Sequence, residues 1–207
     1  MLNNKKQSTM KTIQEKDQKP VLPEKEGYVA VEKTVSAVSI SICALVVGIP
    51  LIAIAAFAHF LLWKEAMIAQ LTSLQVWIII CCGTVVLGLL FELFHGIAWC
   101  AMSGRPLNRM RFGMAGSGLL FQCRIDGELL KKREYVRGMI VPDIIFAAVL
   151  LVPGLCLNCF FATFLGAIVL MSSVGDIMVA NKLKDEHDDT PVYIHPSQAG
   201  VYAYHKQ

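Results

Sequence analysis

The sequence predicts an all-α membrane protein: four transmembrane helices with a small cytoplasmic β-hairpin element. Three observations carry this. Hydrophobic residues make up 55% of the 207-residue chain, a share too large for a soluble domain of this size. They gather into runs around or above the roughly 18 residues that a spanning helix needs. Every Lys and Arg except Lys64 falls in the N-terminal tail, one central loop or the C-terminal tail. With four spans these three segments share a side, and the positive-inside rule makes that side the cytoplasm. The expected location is therefore the cell (plasma) membrane, with both termini cytoplasmic. The net charge of +3 gives no reason to expect a nucleic-acid partner. The lipid bilayer is the expected one, and Lys131, Lys132 and Arg133 are placed to meet anionic head groups.

Residues 1–34 read as a cytosolic polar tail, rich in Lys, Glu and Gln, without apolar period and partly disordered. The charged stretch is too long for a signal peptide and no small-residue cleavage site follows it. The membrane domain is expected over 35–180. Its first span is 35–63, with Pro50 as a candidate kink and His59 near the far interface. The second is 76–102. Trp63 and Trp77 are expected to mark one interface and Trp99 the other, as an aromatic belt. The loop 103–137 is polar and glycine-containing, and Asp126-Gly127 between LLFQCRI and ELLKK is a hairpin signal. The third and fourth spans are 139–157 and 159–180. The tail 181–207 is polar, with Val192 and Ile194, then Val201 and Ala203, at strand-like alternation. Seven cysteines are present. Those in apolar runs read as small hydrophobes. Cys156 and Cys159 form a CxxC that lacks the strand–helix context of a redox motif.

Within the second span, Leu87–Trp99 reads LGLLFELFHGIAW. It carries Glu92 and His95 at helical spacing, hence on one face. Ionisable groups at membrane depth are costly and mark protein interiors or water-filled cavities. The four-span layout adds to them. Glu92 and His95 lie near the cytoplasmic end of the second span, Asp176 about a turn from the same end of the fourth, and Asp143 near the start of the third. Asp143, beside Pro142 at a span entry, reads slightly better as a carboxylate that reaches water or caps a loop. Such a layer suits metal-assisted hydrolysis. In HExxH two histidines bind zinc from one helix face and the Glu between them is the general base. Residues 91–95 read FELFH, with Phe91 where the first histidine would stand.

Further segments add to this one: RFG at 111–113, FQC at 121–123, EYVRG and VP within 134–142, SSVGDI at 172–177 and IHPSQAGVYAY at 194–204. In order and spacing they resemble the putative zincin peptidase family of bacterial integral membrane proteins, itself distantly similar in layout to site-2 proteases. The resemblance covers roughly residues 76–205. It implies His95 and Asp176 as metal ligands, Glu92 as catalytic base and zinc as cofactor, with a membrane protein or peptide as substrate. The chain departs from the family pattern at Phe91, which has no donor atom. It departs again at Ile194, which stands where the family's tail motif has Asp. Two protein ligands remain where a catalytic zinc usually has three, so ordinary zinc peptidase activity is in doubt. Three readings follow. The first is a metallopeptidase whose missing ligand comes from Asp143, His195 or water. The second is a non-catalytic membrane pseudoprotease that binds other membrane proteins. The third is a small ion or metal carrier, against which stands the absence of an inverted repeat.

Overall fold

The structure is a computed structural model, and it describes residues 27–115, 120–125, 129–196 and 198–206. Four helices dominate it: α1 (Ala37–Leu71), α2 (Leu74–Ser103), α3 (Lys132–Cys156) and α4 (Phe160–Lys182). Each is long and apolar enough to cross a membrane. Ser36 caps α1 by accepting a hydrogen bond from the Ser39 backbone N–H. Gly104 closes α2 in the left-handed conformation (φ 67°), a geometry that glycine adopts without steric cost. The departure from helical backbone within α1 falls at Trp63, not at Pro50.

The structure is mostly helical as expected, but the single small hairpin element needs correction, because among the described residues six strands gather at one end of the helices. Strands β1 (Tyr28–Val35), β4 (Leu130–Lys131), β5 (Pro191–Ile194) and β6 (Ala199–Lys206) form one antiparallel sheet in the order β1-β6-β5-β4. Strands β2 (Met110–Ala115) and β3 (Leu120–Ile125) form a separate antiparallel pair. Residues 28–34, expected in an unstructured tail, are therefore strand. YVAVEKTV is rich in β-branched residues but shows no regular alternation, and only its end at Val35 is buried. Its partner, Ala199–Lys206, lies at the other end of the chain, so local sequence could not reveal the pairing. Asp126-Gly127 lies outside the described residues. The runs on either side of it do not pair with each other: β3 returns to β2, and Leu130–Lys131 joins β5.

The largest core joins the sheets to the helix ends, with Leu130, Leu183, Val192 and Val201 essentially inaccessible and Trp99, Tyr135 and Met139 packed among them. Trp99 is thus a core residue, 5% exposed, and not part of an interfacial belt. Trp63 and Trp77 are exposed, with indole N–H groups that donate to the Leu155 and Leu71 carbonyls. His59, expected at the interface, is fully buried against Thr163, with Nδ1 3.1 Å from its hydroxyl. Cys156 and Cys159 flank the α3–α4 turn as free thiols. A second apolar cluster sits deeper among the helices, built on Phe91, Ala147 and Val169.

Candidate metal centre

Between those two cores, three helices bring ionisable side chains together. On α2, Glu92 and His95 are three residues apart and share a face. On α3, Asp143 lies three turns in from the sheet end. On α4, Asp176 lies nearly two turns from the helix C-terminus. His95 Nε2 is 3.0 Å from Asp143 Oδ1 and 4.0 Å from Asp176 Oδ2. One ligand atom from each of the three lies within 4.8 Å of the others. His95 and Asp143 are buried, while the Asp176 side chain is 24% exposed, so the cluster is approached from the α4 side.

Glu92 stands beside this trio, held from the hairpin. The Cys123 backbone N–H donates to Glu92 Oε2 at 3.0 Å. The docking depends on Gly96, because a Cβ there would lie 2.2 Å from Cys123 Sγ and 2.6 Å from Met110 Cε. Burial, with Glu92 nearby, pushes the Cys123 thiol up to about 12, so it stays protonated and inert. His95 is held by rings on two sides. Phe91 meets it edge-on at 4.5 Å and Trp99 stacks on it at 5.9 Å. Trp99 in turn stacks on Tyr135 at 5.5 Å and donates to the Tyr135 carbonyl at 2.9 Å.

His195 lies elsewhere, in the turn between β5 and β6. Its Nδ1 accepts from the Gln198 backbone N–H at 2.9 Å, and its Nε2 faces Tyr202 Oη at 3.0 Å and Glu32 at 3.7 Å. Burial lowers its pKa and the Glu32 carboxylate partly offsets this. The structure therefore brings Glu92, His95, Asp143 and Asp176 together and places His195 in the sheet. Sequence reasoning missed Cys123, Tyr135 and Gly138 as supports of the site. The FQC and EYVRG segments carried them, but nothing in the sequence showed what they touch.

The donor set suits a divalent ion. Zinc bonds to imidazole nitrogen and carboxylate oxygen of about 2.0–2.2 Å at tetrahedral angles imply ligand separations of about 3.4 Å, and the 3.0 and 4.0 Å observed bracket that value. No donor among the described residues reaches the buried Asp143 Oδ2, as expected of a ligand oxygen facing a cation. Among the described residues neither Asp143 nor Asp176 pairs with a lysine or arginine; their ion pairs are with His95. Two carboxylates against one imidazole leave an excess of negative charge that a divalent cation would offset.

Four long apolar helices carrying a His–Asp–Asp cluster and an adjacent helix-borne Glu define a helical protein with a set of side chains of the kind that holds a metal ion. The chain belongs to the family described as putative zincin peptidase, which it matches over residues 84–190, just over half of its length. That span contains Glu92, His95, Asp143 and Asp176. No curated protein and no solved structure matches the chain.

Proposed function

We propose that the protein is an integral membrane metallohydrolase of zincin type, acting on a peptide bond of a membrane protein or peptide that reaches the layer between helices and sheets. One observation carries this reading: ligand atoms of His95, Asp143 and Asp176 come from three helices to one point, with Glu92 one turn from His95 on α2, inside a chain of the zincin family. The four helices cross the plasma membrane with the sheets and both termini in the cytoplasm, in keeping with the distribution of lysine and arginine.

Zinc, when bound, supplies Lewis-acid polarisation of water and of the scissile carbonyl. The chain's own groups do the rest. His95 and Asp176 hold the ion. Glu92 takes the proton of the attacking water and returns it to the leaving amine. The Cys123 N–H occupies Glu92 Oε2 and leaves Oε1 for that proton. The Trp99 stack fixes the His95 ring, and burial of His95 and Asp143 limits competing water.

A second reading is a pseudoprotease that keeps the cleft as a binding surface. Phe91 favours it, since its ring fills the place of the family's first ligand and packs on His95. Hydrolysis of a quenched fluorogenic peptide library by the zinc-loaded, detergent-purified protein separates the two. The metallohydrolase reading expects turnover that falls at least about 100-fold in Glu92→Gln, the low end for loss of a general base. Turnover absent from the metal-loaded wild type, or equal in Glu92→Gln, would leave the pseudoprotease.

A further inference from the structure

Position 91 lies one turn before His95 on α2, the spacing from which a second imidazole would reach the same ion. Phe91 holds it instead, 9% exposed, edge-on to His95 and Phe146 and packed in the cluster with Ala147 and Val169. Hydrocarbon thus fills the space around position 91. The facing helix offers a replacement. Asp143 is 2% exposed. Its Oδ1 lies 3.0 Å from His95 Nε2, and its Oδ2 is buried and accepts no hydrogen bond from a lysine, arginine, amide or backbone donor among the described residues. Native structures rarely leave such an oxygen unsatisfied without a reason, an ion being one.

We propose that Asp143 on α3 has taken over the ligand position lost at residue 91 on α2, so that the ion is held by one imidazole nitrogen and two carboxylate oxygens, those of His95, Asp143 and Asp176. The inference rests on the metal-binding reading above and deepens it. Three protein ligands, the usual number at a catalytic zinc, are thereby restored. The ligands come from three helices instead of two, so the ion ties α3 to α2 and α4. Asp143 is then a ligand and more than a hydrogen-bonding partner that orients His95. The two roles differ in one respect: a ligand's loss can be made good by restoring the histidine at 91, whereas an orienting carboxylate would be missed in either background.

The test measures zinc by elemental mass spectrometry and by zinc K-edge absorption in the full-length, detergent-purified protein. Wild type, Asp143→Asn, Phe91→His/Asp143→Asn and His95→Ala are compared. Expected are about one zinc per chain with a single imidazole neighbour in wild type, at least a tenfold loss of affinity in Asp143→Asn, and recovery in the double variant with two imidazole neighbours. Recovery also shows that a chain carrying Asp143→Asn still folds. Wild-type affinity and spectrum retained in Asp143→Asn would overturn the inference and leave the metal-binding reading standing, provided that His95→Ala loses zinc. Loss in Asp143→Asn without recovery in the double variant would overturn the exchange of ligands. A wild type that takes up no zinc would overturn both the inference and the reading beneath it.

Discussion

Replacing Gly138 by alanine should disturb the site from one helix away. A Cβ at position 138 would lie 2.1 Å from Trp99 Cδ1 and 2.7 Å from Trp99 Nε1. Carbon atoms pack at about 3.5–4.0 Å, so the indole must retreat by about 1.5 Å. It has little room, being 5% exposed and stacked between His95 and Tyr135. A retreat of that size also stretches the 2.9 Å bond from Trp99 Nε1 to the Tyr135 carbonyl beyond hydrogen-bond reach. Overpacking a core typically costs about 1–3 kcal/mol, and a buried donor left unsatisfied about 1–3 kcal/mol more. The sum, about 2–6 kcal/mol, corresponds to a fall in Tm of at least about 4 °C for a chain of this length. Thermal unfolding in detergent, followed by tryptophan fluorescence, measures it. Because Trp99 stacks on His95, zinc affinity should fall in the same variant. Trp99→Leu should relieve part of the strain, so the double variant should be less destabilised than the sum of the single changes. A Gly138→Ala protein with unchanged Tm and unchanged metal affinity would refute the reasoning that this close approach holds the imidazole in place.

Four further outcomes follow from the same geometry. Gly96→Ala should lift the hairpin from α2 and raise the maleimide reactivity of Cys123 at least tenfold above its near-zero rate, measured by site-resolved labelling at pH 7.5. His195 has its pKa lowered by burial, so the unfolded chain takes up a proton there first as pH falls. Its contribution to stability is complete above about 6.5, the unfolded value, and is lost as pH drops toward the folded pKa. Tm should therefore decline more from pH 7.5 to 5.5 in wild type than in His195→Gln. Phe91→Ala should cost about 3–5 kcal/mol through the cavity it leaves, seen as a lowered unfolding midpoint. Two carboxylates and one imidazole make a harder donor set than two imidazoles and one carboxylate. Manganese should therefore displace zinc at lower excess in wild type than in Phe91→His/Asp143→Asn, read by competition and elemental analysis.

The clustering of the ionisable residues was legible in the sequence because depth along four long apolar runs acts as a coordinate. Once four apolar runs fix the up-and-down order, Glu92, His95, Asp143 and Asp176 fall into one layer without any knowledge of packing. The structure brings the His95, Asp143 and Asp176 side chains together there, with Glu92 one turn away on the same helix as His95. Rotation about each helix axis is not encoded in the same way. Trp99 carries the composition of a belt residue yet turns inward onto Tyr135. His195, within the motif-bearing tail, faces Tyr202 and Glu32 instead of the cluster. The sheets were the least legible part. β1 and β6 pair Tyr28 with Lys206, nearly the full length of the chain apart, and no local signal reports such a contact. Asp126-Gly127 suggested a hairpin between its flanking runs, but β3 pairs with β2 and β4 with β5. The position of Gly138 could be read, but the indole that requires it could not.

His95 and Asp176, in the function proposed above, are parts of a metal-holding hydrolytic centre. Zinc stoichiometry of the purified wild-type protein and of His95→Ala, equilibrated with the same excess of zinc and then freed of unbound metal, tests it most directly. About one zinc per chain is expected in wild type and none in His95→Ala. Zinc absent from wild type, or retained in full by His95→Ala, would contradict it.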